Sequence, residues 1–377
     1  MSIPLFSFGL AMGCFFCHAE LNRRKPDTRQ LTAFYLMIAL GGALGAIFVG
    51  LIAPLIFSGI YELPIAMLAV ALIAMWTSWS EGWAQKALWA AVSVAMMVVA
   101  AAQARGYHHN AIELVRNFYG SLRVVESNGV RILYHGTVEH GAQFQAPDGK
   151  RKPTTYYGYE SGVGIALEAI ERIGPVRAGV VGLGAGTLAT YGRAGDAFRF
   201  YEINPAVYDI AQRDFSFLSD TAARVSVAIG DARLTLEAEV PTDKVQSQPG
   251  RFDILIIDAF SGDAIPVHLL TREALELYLA RLQPEGVLAI HVSNQYLDLA
   301  PVVGTLAAAS GLSAIQIHND RDEARQILAA DWILLSRDRN FTARLGIHGQ
   351  SVPMGHEKVW TDDYNNLIRV IRWAPNP

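Results

Sequence analysis

The strongest constraint on the fold is a stretch without any charged residue at positions 31–61. A helix of about 20 apolar residues crosses the ~30 Å hydrocarbon core of a bilayer, so this stretch is long enough to span one. Further apolar runs cover 3–19, 63–79 and 84–104. Only 18% of the 377 residues are charged, against about 25% in soluble domains. We therefore predict about four transmembrane helices within residues 1–104.

The composition excludes several classes of protein. A formal net charge of −4 offers no basic surface for nucleic acid. The only cysteines, Cys14 and Cys17, lie inside the first apolar run, which excludes a disulfide scaffold and predicts no metal site. Gly41 and Gly45 place small residues four positions apart, a spacing that favours close helix packing. We therefore expect a lipid bilayer as partner, and these helices would also allow a homo-oligomer.

The rest of the chain predicts an α/β fold. Asn128-Gly129 between two β-branched runs predicts a β-hairpin, so residues 105–155 are interpreted as a linker and a small β subdomain. Residues 156–377 are interpreted as a catalytic domain with a doubly wound, Rossmann-like parallel sheet, because strand and helix patterns alternate there. The strand runs are 176–181, 197–203, 224–229, 252–258, 286–292, 313–318 and 332–336. Helix-like stretches lie near 187–194, 205–214, 232–239, 268–282 and 298–310.

Successive predicted strands end in residues suited to a nucleoside. Glycines after the first strand allow a ligand to approach the backbone at the start of a helix. An acid at the end of the second strand is placed to accept hydrogen bonds from ribose hydroxyls. An Asp after the third can accept a hydrogen bond from an adenine amino group. The predicted nucleoside-binding residues are Gly182, Leu183, Gly184, Ala185, Gly186, Glu202, Ile203, Asp231 and Ala232.

Alternative interpretations of these residues stay open or are excluded by spacing. Each acid can instead cap the helix that follows it, as Asp231 would at an N-cap. The glycine loop lacks the final G-x-x-G spacing of dinucleotide sites, and no arginine near Glu202 would receive a 2′-phosphate, so a nucleoside fits better than a dinucleotide. His291 ends a predicted strand, and we expect it to be a core or rim residue.

In these motifs the chain resembles the spermidine synthases, which are aminopropyltransferases, and most of all a bacterial subgroup fused to membrane helices. The residues that carry the family resemblance are Gly182–Gly186, Tyr201-Glu202-Ile203, Gly230-Asp231-Ala232 and 258–266. Those that resemble the subgroup are 31–57, 116–120, 135–137, 258–263 and 361–364. The resemblance implies that the glycine loop and the ribose acid hold decarboxylated S-adenosylmethionine. A diamine then attacks the carbon next to sulfur, and 5′-methylthioadenosine leaves. The resemblance implies no metal and no cofactor beyond the substrate decarboxylated S-adenosylmethionine.

One departure from the family lies in the glycine loop. Soluble members carry an Asp there that pairs with the ammonium of the aminopropyl tail, whereas this chain has Ala185. A charge-assisted contact of that kind contributes about 1.5–3 kcal/mol, and the same acid would repel the carboxylate of intact S-adenosylmethionine. The resemblance therefore implies a site that tolerates the full amino-acid tail.

A second departure lies in the catalytic loop, where the family's second Asp takes the proton from the attacking amine. An ungapped match places Ser261 there, and Asp263 is the alternative acid. The family's Gln after the first hairpin falls on Glu139, with Gln143 close by in sequence. The family's downstream tyrosine matches either Tyr156 or Tyr157.

From these departures we predict a lyase that cleaves S-adenosylmethionine to 5′-methylthioadenosine and homoserine lactone. The substrate's own carboxylate would close a five-membered ring, and proximity can contribute ~7–11 kcal/mol in favourable cases without a general base. Tyr156, Tyr157 and Ser261 would orient the tail, while Asp258 or Asp263 would stabilise the sulfonium or ammonium. The alternatives are an aminopropyltransferase with Asp263 as base, a non-catalytic nucleoside-binding membrane sensor, and a methyltransferase of the same fold.

The expected location is a bacterial inner membrane, but the basic residues give conflicting orientations. A basic cluster at 23–29 should be cytoplasmic, which would place everything after residue 104 outside. Arg105 and Arg116 supply a competing basic flank after the last apolar run. Because the expected substrate is found inside cells, we predict a cytoplasmic catalytic domain.

Overall fold

The computed structural model describes residues 2–78, 82–171, 174–239, 252–260, 265–345, 349–355 and 358–372. The chain divides into two compact units, Met1–Ser121 and Leu122–Pro377. The predicted domain boundaries at 104 and 155 are not tested by this division and stay predictions.

Helices account for most of the first unit. They are α1 Ser2–Arg23, α2 Leu31–Ile47, α3 Ala53–Ile56, α4 Glu62–Thr77 and α5 Trp83–His108, and a π-helical turn, Phe48–Ile52, joins α2 to α3. This turn directly precedes the start of α3 at Ala53-Pro54. Proline lacks a backbone N–H, and a local change in hydrogen-bond register accommodates that loss.

Length and composition single out two of these helices as able to cross a membrane. Thr28–Ile56 and Trp83–His108 pass this test, with only 6% of each apolar window buried, while Glu62–Thr77 is a shorter apolar helix. Among the described residues the test thus selects two of the four predicted spans. The others stay predictions, as does the membrane location.

A small antiparallel sheet follows the helices. Its strands are β1 Ala111–Asn117, β2 Gly120–Ser127, β3 Val130–His135 and β4 Val138–Phe144, hydrogen-bonded in the order β1-β2-β3-β4. The predicted hairpin joins β2 to β3, with positive φ at both Asn128 (52°) and Gly129 (74°). That pair of left-handed residues matches the right-handed twist of the strands it connects.

A seven-stranded sheet forms the centre of the second unit, in the order β10-β11-β9-β8-β5-β6-β7. Its strands are β5 Arg177–Val181, β6 Ala197–Glu202, β7 Arg224–Ile229, β8 Phe252–Ile257, β9 Leu282–His291, β10 Ser313–Asn319 and β11 Ala330–Ser336. The helices are α6 Gly162–Glu171, α7 Pro205–Arg213, α8 Phe217–Asp220, α9 Ala232–Ala238, α10 Arg272–Arg281, α11 Ala300–Ala309 and α12 Arg339–Arg344. Neighbours from β7 to β9 are parallel, and β11 is antiparallel to both β9 and β10. The predicted α/β fold with a mostly parallel sheet is confirmed.

The strand order reverses between β5 and β8. From β5 the chain moves outward through β6 and β7, then returns to pair β8 with the other side of β5. In open α/β sheets a ligand binds outside the carboxyl ends of the strands at such a reversal. The fold therefore places the ends of β5, β6 and β8 around one crevice.

One predicted helix differs in the structure. The stretch near 187–194 forms a 3₁₀ helix over Thr187–Tyr191 instead of an α-helix. It is bounded by Gly186 with φ +85° and by Gly192, where a Cβ would lie 2.5 Å from the Cβ of Ala223. Two glycines this close in sequence leave room for little more than one helical turn.

Candidate active site

The loop after β5 can be built only from glycine at two positions. Gly182 has φ +99° and Gly184 has φ +54°, a region that L side chains rarely adopt. A Cβ on Gly182 would lie 2.3 Å from the carbonyl oxygen of Asp258, and one on Gly184 would lie 2.5 Å from that of His140. The loop is therefore held closely between the end of β8 and strand β4.

Strand β4 also fixes the size of the side chain at position 185. A Cβ on Gly141 would lie 2.5 Å from the Cβ of Ala185, and Ala185 is only 1% exposed. An extra residue in β4 accompanies this contact, because Leu133 pairs with Gly141 while Tyr134 pairs with Glu139. Gly141 and Ala185 thus pack closely, and a side chain on Gly141 would displace the glycine loop.

Glu202 lies directly beside the glycine loop and is 8% exposed. Its Oε2 accepts a hydrogen bond from the Leu183 N–H at 3.0 Å, and its Oε1 accepts one from the Asn204 N–H at 2.8 Å. Burial raises the pKa of Glu202, although the backbone donors oppose this shift. The adjacent Ile203 is 45% exposed. A buried carboxylate thus lies next to an exposed apolar side chain, and the binding of a ribose and a base by these residues stays a prediction.

Asp231 occupies the N-cap of α9. Its Oδ1 accepts a hydrogen bond from the Leu234 N–H at 2.9 Å, and Ala232 begins the helix. His268 Nε2 lies 3.5 Å from the other carboxyl oxygen of Asp231. The capping alternative therefore describes what Asp231 does in this structure, and a contact with adenine stays a prediction.

Gln143 and Glu139 lie on opposite faces of strand β4. The Gln143 amide donates to the Lys150 carbonyl (3.0 Å) and to Ser216 Oγ (2.9 Å), and its oxygen accepts from the Ser216 N–H (3.1 Å). Glu139 pairs with Tyr134, so its side chain lies on the face of β4 opposite to Gly141. Burial raises the pKa of Glu139. Binding of the ligand by either side chain stays a prediction.

The predicted catalytic residues Asp258, Tyr156 and Tyr157 are brought together. Tyr157 Oη donates to Asp258 Oδ2 at 2.5 Å, and the Asp258 side chain is 8% exposed. Burial, followed by the neighbouring Asp258 carboxylate, raises the pKa of Tyr157, so its hydroxyl keeps its proton. The Tyr156 ring lies at right angles to that of Tyr157. Ser261 and Asp263 lie outside the described residues.

The structure adds a residue that the sequence analysis did not assign to the site. His291 ends β9, and its Nδ1 lies 2.7 Å from Asp258 Oδ1. It was expected in the core or at its rim, and it is indeed buried, but against a carboxylate. The available signal was its position at the carboxyl end of a strand parallel to β8, where Asp258 also follows the strand.

Asp258 and Glu202 give the crevice a negative character. Within the described parts of the chain, no lysine or arginine forms an ion pair with either carboxylate, and their hydrogen-bond donors are backbone amides, Tyr157 and His291. A buried carboxylate without a protein cation favours a cationic ligand. The described residues contain no group of three or more His, Cys, Asp or Glu that could hold a metal ion.

Comparisons with known proteins locate a sequence similarity. The chain is 33% identical over 119 residues to a polyamine aminopropyltransferase of Vibrio vulnificus (strain CMCP6), a match that covers 30% of this chain and 36% of that protein. The matched part thus spans about a third of the relative's length. No protein-family model matches. The predicted resemblance to spermidine synthases is confirmed in this respect, and membership of the membrane-fused subgroup stays a prediction.

Solved structures with the same general fold are also similar to this chain. A probable spermidine synthase from Corynebacterium glutamicum has a TM-score of 0.46 at 17% identity, covering 64% of this chain and 95% of that one. The spermidine synthase from Thermotoga maritima has a TM-score of 0.43 at 12% identity, covering 67% and 82%. Human methyltransferase-like protein 13 has a TM-score of 0.35 at 19% identity, covering 53% and 83%. The fold assignment rests on the strand order given above.

Proposed function

We propose that this chain, which is spermidine synthase-like in sequence over the matched stretch, is an enzyme that transfers an aminopropyl group from an adenosyl sulfonium to an amine. The observation that carries the proposal is the pair of buried carboxylates beside the glycine loop. Glu202 accepts from the loop's own Leu183 N–H, and Asp258 follows the strand that pairs with β5. One acid suits a ribose, and the other suits a positive charge.

The attacking nitrogen must be a neutral amine, so a diamine that is protonated at neutral pH loses one proton before its nitrogen attacks. With ribose at Glu202 and adenine against Ile203, the sulfonium would lie at the glycine loop within the field of Asp258. The amine nitrogen attacks the carbon next to sulfur, a C–N bond forms, and the C–S electron pair stays on sulfur. The products are neutral 5′-methylthioadenosine and an alkylated ammonium, which keeps its remaining protons at neutral pH. Asp258 can accept a hydrogen bond from the attacking amine and so orient it.

The buried Ala185 supports a second candidate, the lyase predicted from the sequence. An alanine in the glycine loop carries no charge that would bind a tail ammonium or repel a tail carboxylate. Intact S-adenosylmethionine would then be accepted, and its carboxylate oxygen would attack its own γ-carbon. A C–O bond forms as the C–S bond breaks, which gives homoserine lactone and 5′-methylthioadenosine. The similarity to a polyamine aminopropyltransferase favours the transferase.

One set of incubations tests these candidates on the full-length protein purified in detergent. We expect 5′-methylthioadenosine from decarboxylated S-adenosylmethionine only when a diamine such as putrescine is present. Release of 5′-methylthioadenosine from S-adenosylmethionine without amine would support the lyase instead. S-Adenosylhomocysteine would identify a methyltransferase, and calorimetric binding without turnover would identify a sensor. Absence of both binding and turnover would overturn all four.

We also propose that the chain is an integral membrane protein with its catalytic unit in the cytoplasm. The apolar helices Thr28–Ile56 and Trp83–His108 support the first part. We expect the protein to stay in the membrane fraction after carbonate extraction and to need detergent for release. A reporter fused after residue 377 would give the side, and an extracytoplasmic signal would contradict the proposed orientation. Chemical cross-linking in the membrane would reveal a homo-oligomer.

A further inference from the structure

We infer that His291 is a positioning residue that fixes the carboxylate of Asp258 in one orientation for the reaction. The kinetic part of this inference rests on the proposed function. His291 Nδ1 lies 2.7 Å from Asp258 Oδ1, while Tyr157 Oη donates to Asp258 Oδ2 at 2.5 Å. Each oxygen of the carboxylate is therefore bound to a different side chain. Rotation of the carboxylate would break at least one bond to a charged acceptor.

The hydrogen bonds of Ser293 select the tautomer of His291. Ser293 Oγ accepts the Asp331 backbone N–H at 2.7 Å and lies 2.9 Å from His291 Nε2. The single hydroxyl proton of Ser293 is satisfied when it is donated to Nε2, which makes Nε2 an acceptor. The ring proton is then on Nδ1, where it is donated to Asp258. If the proton were on Nε2 instead, the Ser293 oxygen would face two donors, and its own hydroxyl would have no acceptor among the described residues.

The rings around His291 prevent it from turning. The Trp332 ring stacks on it at 4.5 Å with an interplanar angle of 10°, and the centroids of Phe260 and Tyr156 both lie 5.0 Å away. The His291 side chain is 3% exposed. The groups that face it and can titrate are Asp258, Tyr156 and, through Asp258, Tyr157. Fixed donors aimed at an anionic group give the preorganisation that electrostatic catalysis requires.

Two substitutions separate the hydrogen bond from the packing. His291→Phe keeps a ring against Trp332 but removes the donor, whereas His291→Asn places an amide N–H near the position of Nδ1. Loss of a hydrogen bond to a charged group should lower kcat/KM by about 10- to 100-fold in His291→Phe. His291→Asn should recover part of that loss. His318→Phe, at a half-exposed position on strand β10, is the matched control and should stay within about twofold.

Further measurements distinguish positioning from a purely structural role. Binding of 5′-methylthioadenosine and the thermal midpoint should be nearly unchanged in His291→Asn, because the nucleoside residues are untouched. Ser293→Ala releases Nε2, so the kcat–pH profile should change while the KM for the sulfonium does not. Wild-type kcat/KM in His291→Phe would overturn the inference, and so would equal losses in His291→Phe and His291→Asn.

An NMR experiment keeps this inference separate from the proposed function. ¹⁵N spectra of the full chain in detergent should show His291 with its proton on Nδ1, and Ser293→Ala should change that spectrum. This result does not depend on turnover. If no sulfonium substrate reacts, the proposed function fails, but the ¹⁵N spectrum still shows which nitrogen of His291 carries the proton. A proton on Nε2 in the wild-type protein would overturn the positioning role even if the enzyme is active.

Discussion

Glu202 connects the glycine loop to the ligand it is proposed to hold. Glu202→Gln removes the charge and turns an amide N–H₂ towards one of the two backbone donors that now bind the carboxylate. We expect the affinity for 5′-methylthioadenosine to fall by about 10- to 100-fold, as for loss of a hydrogen bond to a charged group. Calorimetry measures this directly. Asp209→Asn, an exposed acid on α7, is the control, and unchanged affinity in Glu202→Gln would remove the ribose site.

Gly141 is a second single-residue test, because it fixes the distance between β4 and the glycine loop. Gly141→Ala places a methyl group where Ala185 already lies, at a φ of +152°. We expect destabilisation of about 1–3 kcal/mol, as for overpacked cores. Adding Ala185→Gly to this variant should restore part of the lost stability. Gly129→Ala also strains a positive φ but meets nothing within 4 Å, so it separates strain from overlap. Equal losses at both positions would contradict the proposed overlap.

The contact between Gly141 and Ala185 also affects how the substrate preference of Ala185→Asp can be interpreted. On the family resemblance alone, Ala185→Asp would shift preference away from intact S-adenosylmethionine. Because Ala185 is only 1% exposed, a charged side chain at this position also perturbs the packing of the loop itself. A change in selectivity is interpretable only if thermal stability and 5′-methylthioadenosine binding are measured on the same variant.

At the level of elements, the C-terminal segment is tied to α9 and to the start of α10. Arg233 donates to both carboxyl oxygens of Asp362, at 2.7 and 2.5 Å, and Thr271 donates to one of them at 2.8 Å. The hydrogen bonds from Arg233 lower the pKa of Asp362 below its ordinary value of 3.8. The pKa of Asp362 is therefore lower in the folded state than in the unfolded state. This stabilisation is present at pH values above the pKa of the unfolded state, and it is lost as the pH falls through the pKa of the folded state.

Because the pKa of Asp362 is lowered in the folded state, the effect of Asp362→Asn on stability should depend on pH. The variant should be less stable than wild type at neutral pH by less than about 1 kcal/mol, because the pair is partly exposed. The difference should shrink as the pH falls below the ordinary value of 3.8. Denaturant unfolding at several pH values measures it. A difference that stays constant down to acid pH would show that the carboxylate charge contributes nothing.

The central strands of the large sheet, β5, β8 and β9, could be predicted because their apolar runs are buried on both faces, and the predicted and observed ends differ by a few residues. The region after β5 could not be predicted in the same way. Its helix is replaced by the 3₁₀ segment Thr187–Tyr191, in which Tyr191 Oη donates to the Tyr157 carbonyl at 2.6 Å. A partner far away in sequence determines this local structure.

The same limit applies to the site. Glu202 could be placed from sequence because strand ends meet at one edge of a parallel sheet. The contact of Asp258 with Tyr157 could not, because it depends on how the loop after β4 packs over the sheet. For the contact with His291, the only signal was that both residues stand at the carboxyl ends of strands. Gln143 also has contacts that its sequence position did not predict, because its amide donates to Ser216 and Lys150. Its role in ligand binding stays a prediction.

At the scale of the whole molecule, every described residue assigned to the site belongs to the unit Leu122–Pro377. Ligand binding should therefore stabilise that unit. At a 5′-methylthioadenosine concentration of 100 times Kd, binding to the folded state adds about 2.7 kcal/mol. We expect a concentration-dependent rise in the thermal midpoint of the full chain, followed by tryptophan fluorescence. Adenine alone is the control, and no rise at saturating ligand would contradict a preformed site.

The uncompensated charge of Asp258 also has a consequence for turnover. Under the proposed function the incoming sulfonium is positive, and the thioether that remains after cleavage is not. The attraction that draws the reactant into a poorly hydrated crevice therefore vanishes in the same step that makes the product. Release of 5′-methylthioadenosine would then require no conformational change, because the reaction itself removes the electrostatic attraction to Asp258.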